Sequence, residues 1–141
     1  MKPNRTFPSI PDDIRQWTRF LSDLFFAREF TATLSGVTVD QTGTARYTVS
    51  AGVVCLSLPD LSGISNSVNA FIDGLPDDIT PAHDQVCLAR IIDNGVTAVN
   101  SVLIGIDTGI TLFNNLTTTV GGFTAAGTKG IRFSNVVYPL D

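Results

Sequence analysis

The sequence is poor in the residues on which catalysis and metal binding depend. It contains one histidine, two cysteines and one tryptophan among 141 residues, and only 16% of its residues are charged, against about 25% in typical domains. One histidine and two separated cysteines are too few ligands for a structural zinc site. The chain also has no cluster of lysine and arginine, so we expect no nucleic-acid partner.

The sequence also lacks a long apolar run. No stretch approaches the roughly 18 apolar residues that a membrane-spanning helix requires, so we expect no membrane partner. Near the N-terminus, Lys2 and Arg5 are accompanied by Pro3, Pro8 and Pro11 instead of the apolar segment of a signal peptide. A secretory signal is therefore not expected.

The few residues that could carry chemistry lack partners at useful spacing. His83 is followed by Asp84, but side chains adjacent in sequence point apart, so the pair is not the acid–base half of a triad. The doublets Asp12-Asp13 and Asp77-Asp78 do not have the spacing of a calcium-binding loop. We therefore predict no enzyme, no catalytic residue, no metal and no cofactor.

Residues 14–25 have the apolar spacing of an amphipathic helix. The intervals are 3, 4, 3 and 1 residues, which places the apolar side chains on one helix face, and Asp12 and Asp13 complement the positive end of the helix dipole. Burying such side chains stabilises by about 1.5–3 kcal/mol each, so the face must be covered. We call it the docking stripe; its residues are Ile14, Trp17, Leu21, Leu24 and Phe25.

The sequence leaves open what covers the docking stripe. It could cap its own domain, or it could contact sister copies or another protein, and the second alternative is favoured. Charge supports that choice. Residues 1–28 hold five basic and three acidic residues, a balance of +2, and residues 29–141 hold four basic and ten acidic residues, a balance of −6. A positive arm of this kind suits attachment to an acidic neighbouring copy.

Beyond residue 28 the apolar period changes from 3.6 to 2, the period of a β-strand. Turn signals separate the runs at 42–43, 51–52, 94–95 and 108–109, and Asn94-Gly95 is the strongest of them. We predict an all-β fold: an antiparallel jelly-roll-like β-sandwich of about eight strands over residues 29–141, preceded by an extended tail and docking helix over residues 1–28. The predicted strands are 30–39, 44–50, 53–58, 69–73, 85–92, 96–106, 110–113 and 131–140.

The two cysteines, Cys55 and Cys87, each lie inside an apolar run. Free cysteine behaves as a small buried apolar residue, so reduced core cysteines are favoured over a disulfide. A framework of disulfides cannot be deduced from two cysteines, and the disulfide alternative stays open.

Three stretches resemble a family of small β-sandwich proteins from tailed bacteriophage particles. They are "FIDGLPDDITPAHDQ" (71–85), with Gly74-Leu75-Pro76; "FTAAGTKGIRFSNVVYPL" (123–140), with Gly127-Thr128-Lys129-Gly130; and the leader "FPSIPDDIRQWTRF" (7–20). The resemblance implies a virion location and a non-enzymatic fibre or decoration protein. It also implies attachment by the leader to other virion proteins, and a homo-oligomer with a trimer favoured.

The alternative function is a module that binds a host surface receptor or glycan. Its binding loops would be residues 59–68 and 114–130, since long loops are frequently functional. Sugar sites usually present aromatic side chains, and these two loops contain only one, Phe123. Because these loops contain so few aromatic side chains, receptor or glycan binding is the less favoured function, and it stays open as an alternative.

Overall fold

A computed structural model of the chain describes Ile14 and residues 27–107 and 109–141. Ten strands make up this part of the protein, which confirms the all-β prediction. Apart from Ile14, Ala27 and Arg28, the predicted tail and helix lie outside the described residues. The strands are β1 (Arg28–Ser35), β2 (Gln41–Ser50), β3 (Val53–Leu58), β4 (Leu61–Ile64), β5 (Ala70–Asp73), β6 (Gln85–Asp93), β7 (Val96–Ile104), β8 (Ile110–Leu112), β9 (Thr128–Ile131) and β10 (Ser134–Pro139), and a 3-10 helix spans Asp77–Ile79.

All ten strands belong to one antiparallel sheet, in the order β10-β3-β2-β1-β5-β8-β7-β6-β9-β4. The sheet curls until β10 returns to β6, although these two strands are not neighbours in the hydrogen-bonded order. The Arg90 amide donates to Ser134 Oγ at 3.0 Å, and the Arg132 amide donates to the Arg90 carbonyl at 2.8 Å. This curl brings strands from distant parts of the sequence around one core.

The core follows the two-residue alternation of the strands. On β3 the buried residues are Val54, Leu56 and Leu58, and on β10 they include Val136 and Tyr138. Every core residue that the structure describes lies between positions 32 and 140. The described inner face is thus lined by strands of the body, and strands such as β3 and β10 expose their alternate residues on the opposite face.

The strongest turn prediction is confirmed at the β6–β7 hairpin. Asp93 pairs with Val96, so Asn94 and Gly95 alone form the turn, and both have positive φ, at 49° and 80°. Two successive residues of positive φ define a turn whose twist matches that of the strands. Glycine at the second position removes the side-chain clash that this conformation would otherwise cause.

The prediction of about eight strands missed β4 and β9, which lie inside stretches predicted to be loops. These strands are only four residues long and pair mainly with each other, Leu61 with Ile131 and Gly63 with Lys129. Because both are rich in glycine and polar residues, local propensity gives no strand signal, and their pairing is a tertiary effect. A second prediction was also wrong, because the 42–43 pair forms no turn and lies within β2.

Both cysteines are free, as favoured, but the prediction that both lie in the core was wrong. Cys55 is exposed because its buried neighbours in β3, Val54 and Leu56, occupy the inward positions. Cys87 is half-buried, with its Sγ 3.7 Å from the Val137 carbonyl oxygen. Burial raises the pKa of the Cys87 thiol, so this cysteine is the less reactive nucleophile at neutral pH.

Candidate functional site

Of the predicted docking stripe, the structure describes Ile14 alone, and its residue surface is 80% exposed. Trp17, Leu21, Leu24 and Phe25 lie outside the described residues. The stripe as a whole therefore remains a prediction. Two other surfaces are formed by residues that the structure describes, and they differ in chemistry.

The first surface is an apolar groove of about 340 Å³ on the outer face of the sheet, which we call the β6–β10 groove. Its apolar lining residues are largely uncovered: Leu88 is 59% exposed, Val99 58% and Phe133 53%. An apolar cavity of about 150 Å³ is enough to hold benzene. The groove therefore has room for one indole ring with a neighbouring apolar side chain. Its full lining is Leu88, Ala89, Arg90, Val99, Phe133, Ser134 and Asn135.

Side chains alternate between the two faces of a strand, and this explains why the groove is apolar although it lies on the outer face of the sheet. On β6, Ala89 and Ile91 face the core, so Leu88 lies on the outer face, as does the exposed Val86. The exposed Val137 of β10 lies close by, because its carbonyl oxygen contacts Cys87 Sγ. The sequence predicted only that residues 85–92 form a strand. A strand that is apolar on both faces is normally buried on both, whereas β6 exposes Val86 and Leu88 on one face.

The second surface is a cleft of about 280 Å³ at the end of strands β5, β7 and β8, which we call the acidic cleft. Phe71 and Asp73 are alternate residues of β5, and Phe71 is 38% exposed. Asp84 and Asp107 come from loops on either side of β6 and β7, and Asp84 Oδ1 accepts a hydrogen bond from the Ile106 amide at 3.1 Å. No basic residue is among the described residues that line it.

An aromatic ring beside several hydrogen-bond acceptors suits an uncharged polyol more than an apolar ligand or an anion. Within the described ranges, no group of three or more histidine, cysteine, aspartate or glutamate side chains is placed to hold a metal ion. The sequence could not reveal this cleft, because its four distinctive residues come from positions 71, 73, 84 and 107. They are brought together by the successive pairing of β5 with β8, β8 with β7 and β7 with β6.

The loops that were predicted to carry a sugar site do not expose an aromatic side chain. Phe123, the aromatic residue of the 114–130 stretch, is buried in the main core. In the 59–68 stretch, Leu61 belongs to β4 and is buried, and Ser65 donates to the Thr124 carbonyl at 2.6 Å. The two stretches therefore pack on each other, and the prediction that both are exposed binding loops was wrong for these residues.

Lys129 is the most unusual titratable residue of the described body, because its side chain is fully buried. Its ammonium group donates to the carbonyl oxygens of Ser67, at 2.6 Å, and Asn69, and it lies 5.5 Å from the centre of the Phe123 ring. Burial lowers the pKa of Lys129, and the Asp93 carboxylate opposes that shift. The lysine of the Gly127-Thr128-Lys129-Gly130 motif thus makes internal hydrogen bonds that join β9 to the loop between β4 and β5.

The remaining candidates from the sequence are structural. His83 is exposed. Asp78 lies in the 3-10 helix and is not merely solvated: Arg28 Nη1 donates to it at 3.2 Å, and Tyr47 Oη at 3.1 Å. Burial of Tyr47, followed by the charge of Asp78, raises the pKa of that phenol. The first residue of β1 is therefore anchored to the loop that follows β5.

The part of the chain that the structure describes contains no helix of the length and apolar character needed to cross a membrane. No protein-family model and no curated protein matches the sequence.

Proposed function

We propose that this protein is a non-enzymatic structural component of a tailed-phage virion, a fibre or decoration protein. It attaches by its N-terminal segment, residues 1–28, and presents the β body outward. The proposal rests on the resemblance of residues 7–20, 71–85 and 123–140 to such proteins, and on the physical character of the two parts. An apolar stripe on a positive arm is suited to attachment, and a low-charge β body is suited to display.

The observation that carries the proposal is the division of the sequence into two parts of different character. Residues 1–28 carry +2 and have the apolar spacing of a helix, and residues 29–141 carry −6 and have the alternation of strands. A large apolar stripe left in water is unfavourable, so a stripe on an arm of opposite charge is suited to attachment.

We further propose that the curled sheet corresponds to a jelly-roll-like sandwich and that the assembly is a homo-oligomer, with a trimer favoured. In support, strands from opposite halves of the sheet order, such as β3 and β7, contribute to one core. Repeated contacts in a symmetric particle add through multivalency, so each interface can be weak by itself.

Substitution in the stripe tests attachment. Trp17→Asp places a charge at the centre of the stripe, and we expect it to leave the body folded by circular dichroism while light scattering shows loss of the oligomer. Arg15→Asp is the matched control, because Arg15 falls off the stripe in the same segment. A Trp17→Asp chain that fails to fold would show that the stripe caps its own domain, and an unchanged oligomer would also contradict the proposal.

A second candidate function, binding of a host surface saccharide, is favoured by the acidic cleft. Phe71 offers an exposed ring, and Asp73, Asp84 and Asp107 offer carboxylate acceptors around it. Sugars bind proteins by stacking their C–H faces on aromatic rings while their hydroxyl groups donate to acceptors of this kind. In this second candidate function, the acidic cleft is the site that we propose.

A glycan array read with the full chain tests this second candidate. We expect selective binding that falls at least tenfold in Phe71→Ala and is unchanged in Phe133→Ala, which removes an exposed aromatic ring outside the cleft. An absence of selective binding, or equal losses in the two variants, would contradict a saccharide site in this cleft.

A further inference from the structure

We propose that Asn94, in the turn of the β6–β7 hairpin, is a site of spontaneous deamidation, and that strand β9 keeps this site closed while the sheet is intact. The modification converts the side-chain amide into a carboxylate, and its only co-reactant is water. The inference does not depend on the proposed function, because it concerns a turn within the β body.

The sequence around Asn94 favours this reaction. Asparagine is among the thermolabile residues, and Asn94 is the one asparagine of the sequence that is followed by glycine. In deamidation the backbone nitrogen of the following residue attacks the asparagine Cγ. Glycine hinders this attack least because it has no side chain, whereas an asparagine such as Asn135 precedes the branched Val136.

The atoms of the reaction balance with water alone. The Gly95 nitrogen forms a bond to Cγ of Asn94 and gives up its proton, while the bond from Cγ to Nδ2 breaks and that nitrogen leaves as ammonia. The intermediate is a five-membered cyclic imide. Water then opens one of the two C–N bonds of this ring and leaves either aspartate or isoaspartate at position 94.

The hydrogen bonding of Gly95 opposes the first step. Its N–H donates to the carbonyl oxygen of Thr128, the first residue of β9, at 2.9 Å. The attack consumes this N–H, so the hydrogen bond and the reaction exclude each other. Asn94 and Gly95 are both exposed, so water reaches the turn, and the protection comes from the hydrogen bond instead of from burial.

The side chain of Asn94 is also held against the segment that leads into β9. Its Oδ1 atom lies where a Cβ atom of Gly127 would be, so the two segments fit closely only because residue 127 is glycine. The side chain therefore cannot turn freely while this segment stays in place. Local separation of β9 from the hairpin is the step that opens the site, and such openings occur in folded proteins.

The modification weakens the contact that prevented it. The imide has no N–H to donate to Thr128, and isoaspartate adds a backbone atom to a turn whose register depends on two residues. Either product also places a negative charge beside Asp93, whose carboxylate accepts a hydrogen bond from the Thr124 amide at 2.9 Å. The hairpin is then held less firmly to β9 and to the loop before it.

Deamidation rates of the full chain test the site and its protection. The parent is incubated in mildly alkaline buffer, with and without guanidinium chloride, and peptide mapping by mass spectrometry follows conversion at each asparagine. In denaturant we expect conversion to be fastest at position 94, and in the folded chain at least tenfold slower, because attack requires local opening. Equal rates in the two conditions would overturn the protection by β9, and a denatured chain without preference for position 94 would overturn the site.

A pair of glycine variants tests the fit of Asn94 against Gly127. Gly127→Ala places a Cβ atom where Asn94 Oδ1 lies, so we expect at least tenfold faster conversion in the folded variant. Gly52→Ala is the matched control, because Gly52 also has positive φ but a Cβ atom there meets no neighbour, and its rate should equal that of the parent. Equal rates in both variants would contradict the inference. Should Gly127→Ala fail to fold by circular dichroism, Lys129→Met, which loosens β9, serves in its place.

Discussion

Among single residues, Tyr138 and Lys129 combine full burial with polar groups that the fold must satisfy. Tyr138 lies in the core and donates its hydroxyl to the Ile79 carbonyl at 2.8 Å. This bond ties β10 to the 3-10 helix, and burial is the main cause that raises the pKa of Tyr138 above the ordinary 10.0. The residue therefore links local packing to the pH dependence of stability.

The raised pKa of Tyr138 has a defined sign in the free energy of unfolding. Above pH 10 the phenol ionises in the unfolded chain but keeps its proton in the folded one, so stability falls as pH rises, by up to about 1.4 kcal/mol per pH unit from this group. Tyr138→Phe should cost about 1 kcal/mol at pH 7, from the lost hydrogen bond, and should reduce the alkaline decline. Urea unfolding at pH 7 to 11 measures both effects, and an equally steep decline in the variant would contradict this account.

Lys129 holds together segments that are distant in sequence. Lys129→Met keeps most of the side-chain volume but removes the donor to the Ser67 and Asn69 carbonyls. We expect a loss of about 2 kcal/mol in the free energy of unfolding, because hydrogen bonds from a charged donor are lost inside the protein. Urea unfolding measures it, with the exposed Arg132→Met as control, for which a change within about 0.5 kcal/mol is expected. Equal losses in the free energy of unfolding in the two variants would contradict a structural role for the hydrogen bonds of Lys129.

At the scale of elements, the pairing of β4 with β9 depends on a close approach of two backbones. Gly130 has φ of +152°, and a Cβ atom at this position would collide with the Leu61 carbonyl oxygen. Gly130→Ala should therefore cost about 3 kcal/mol or more, from separation of the strands together with backbone strain.

Gly52→Ala is the matched comparison. It also has positive φ, at +76°, but a Cβ atom there meets no neighbour, so only the strain of about 1–2 kcal/mol applies. Thermal unfolding of the two variants measures the difference between them. Equal changes in midpoint would show that the contact with Leu61 is unimportant.

The elements also show how far the sequence could predict the fold. The eight strands with clear alternation, such as those at 53–58 and 85–92, were predicted to within a few residues, because apolar periodicity and turn chemistry are local signals. β4 and β9 could not be predicted, because each is stabilised by its partner and because Lys129 of β9 is held by carbonyl oxygens of a loop distant in sequence. The predicted N-terminal helix lies outside the described residues and stays a prediction.

The candidate sites were less predictable than the fold. Leu88 and Val99 lie in strands that the sequence predicted, but only the structure shows that both apolar side chains are exposed. Phe123 was the opposite case, an aromatic residue in a predicted loop that is buried. Exposure at the surface is a property of tertiary packing, and a pattern in one strand does not determine it.

At the scale of the whole molecule, the sequence predicts a positive arm with an apolar stripe, and the structure describes a β body whose outer face has an apolar groove. Exposed apolar surfaces such as this groove are typically buried by association. We propose assembly as the property that explains this division of the chain.

The molar mass in solution, measured by light scattering, tests this account most directly. The full chain should have the mass of a small closed oligomer, with three chains favoured, and a chain that begins at Ala27 should have the mass of one folded molecule, with its circular dichroism still that of a β protein. A full chain that is monomeric at micromolar concentration, or a truncated chain that remains oligomeric, would contradict the claim that residues 1–26 hold the subunits together.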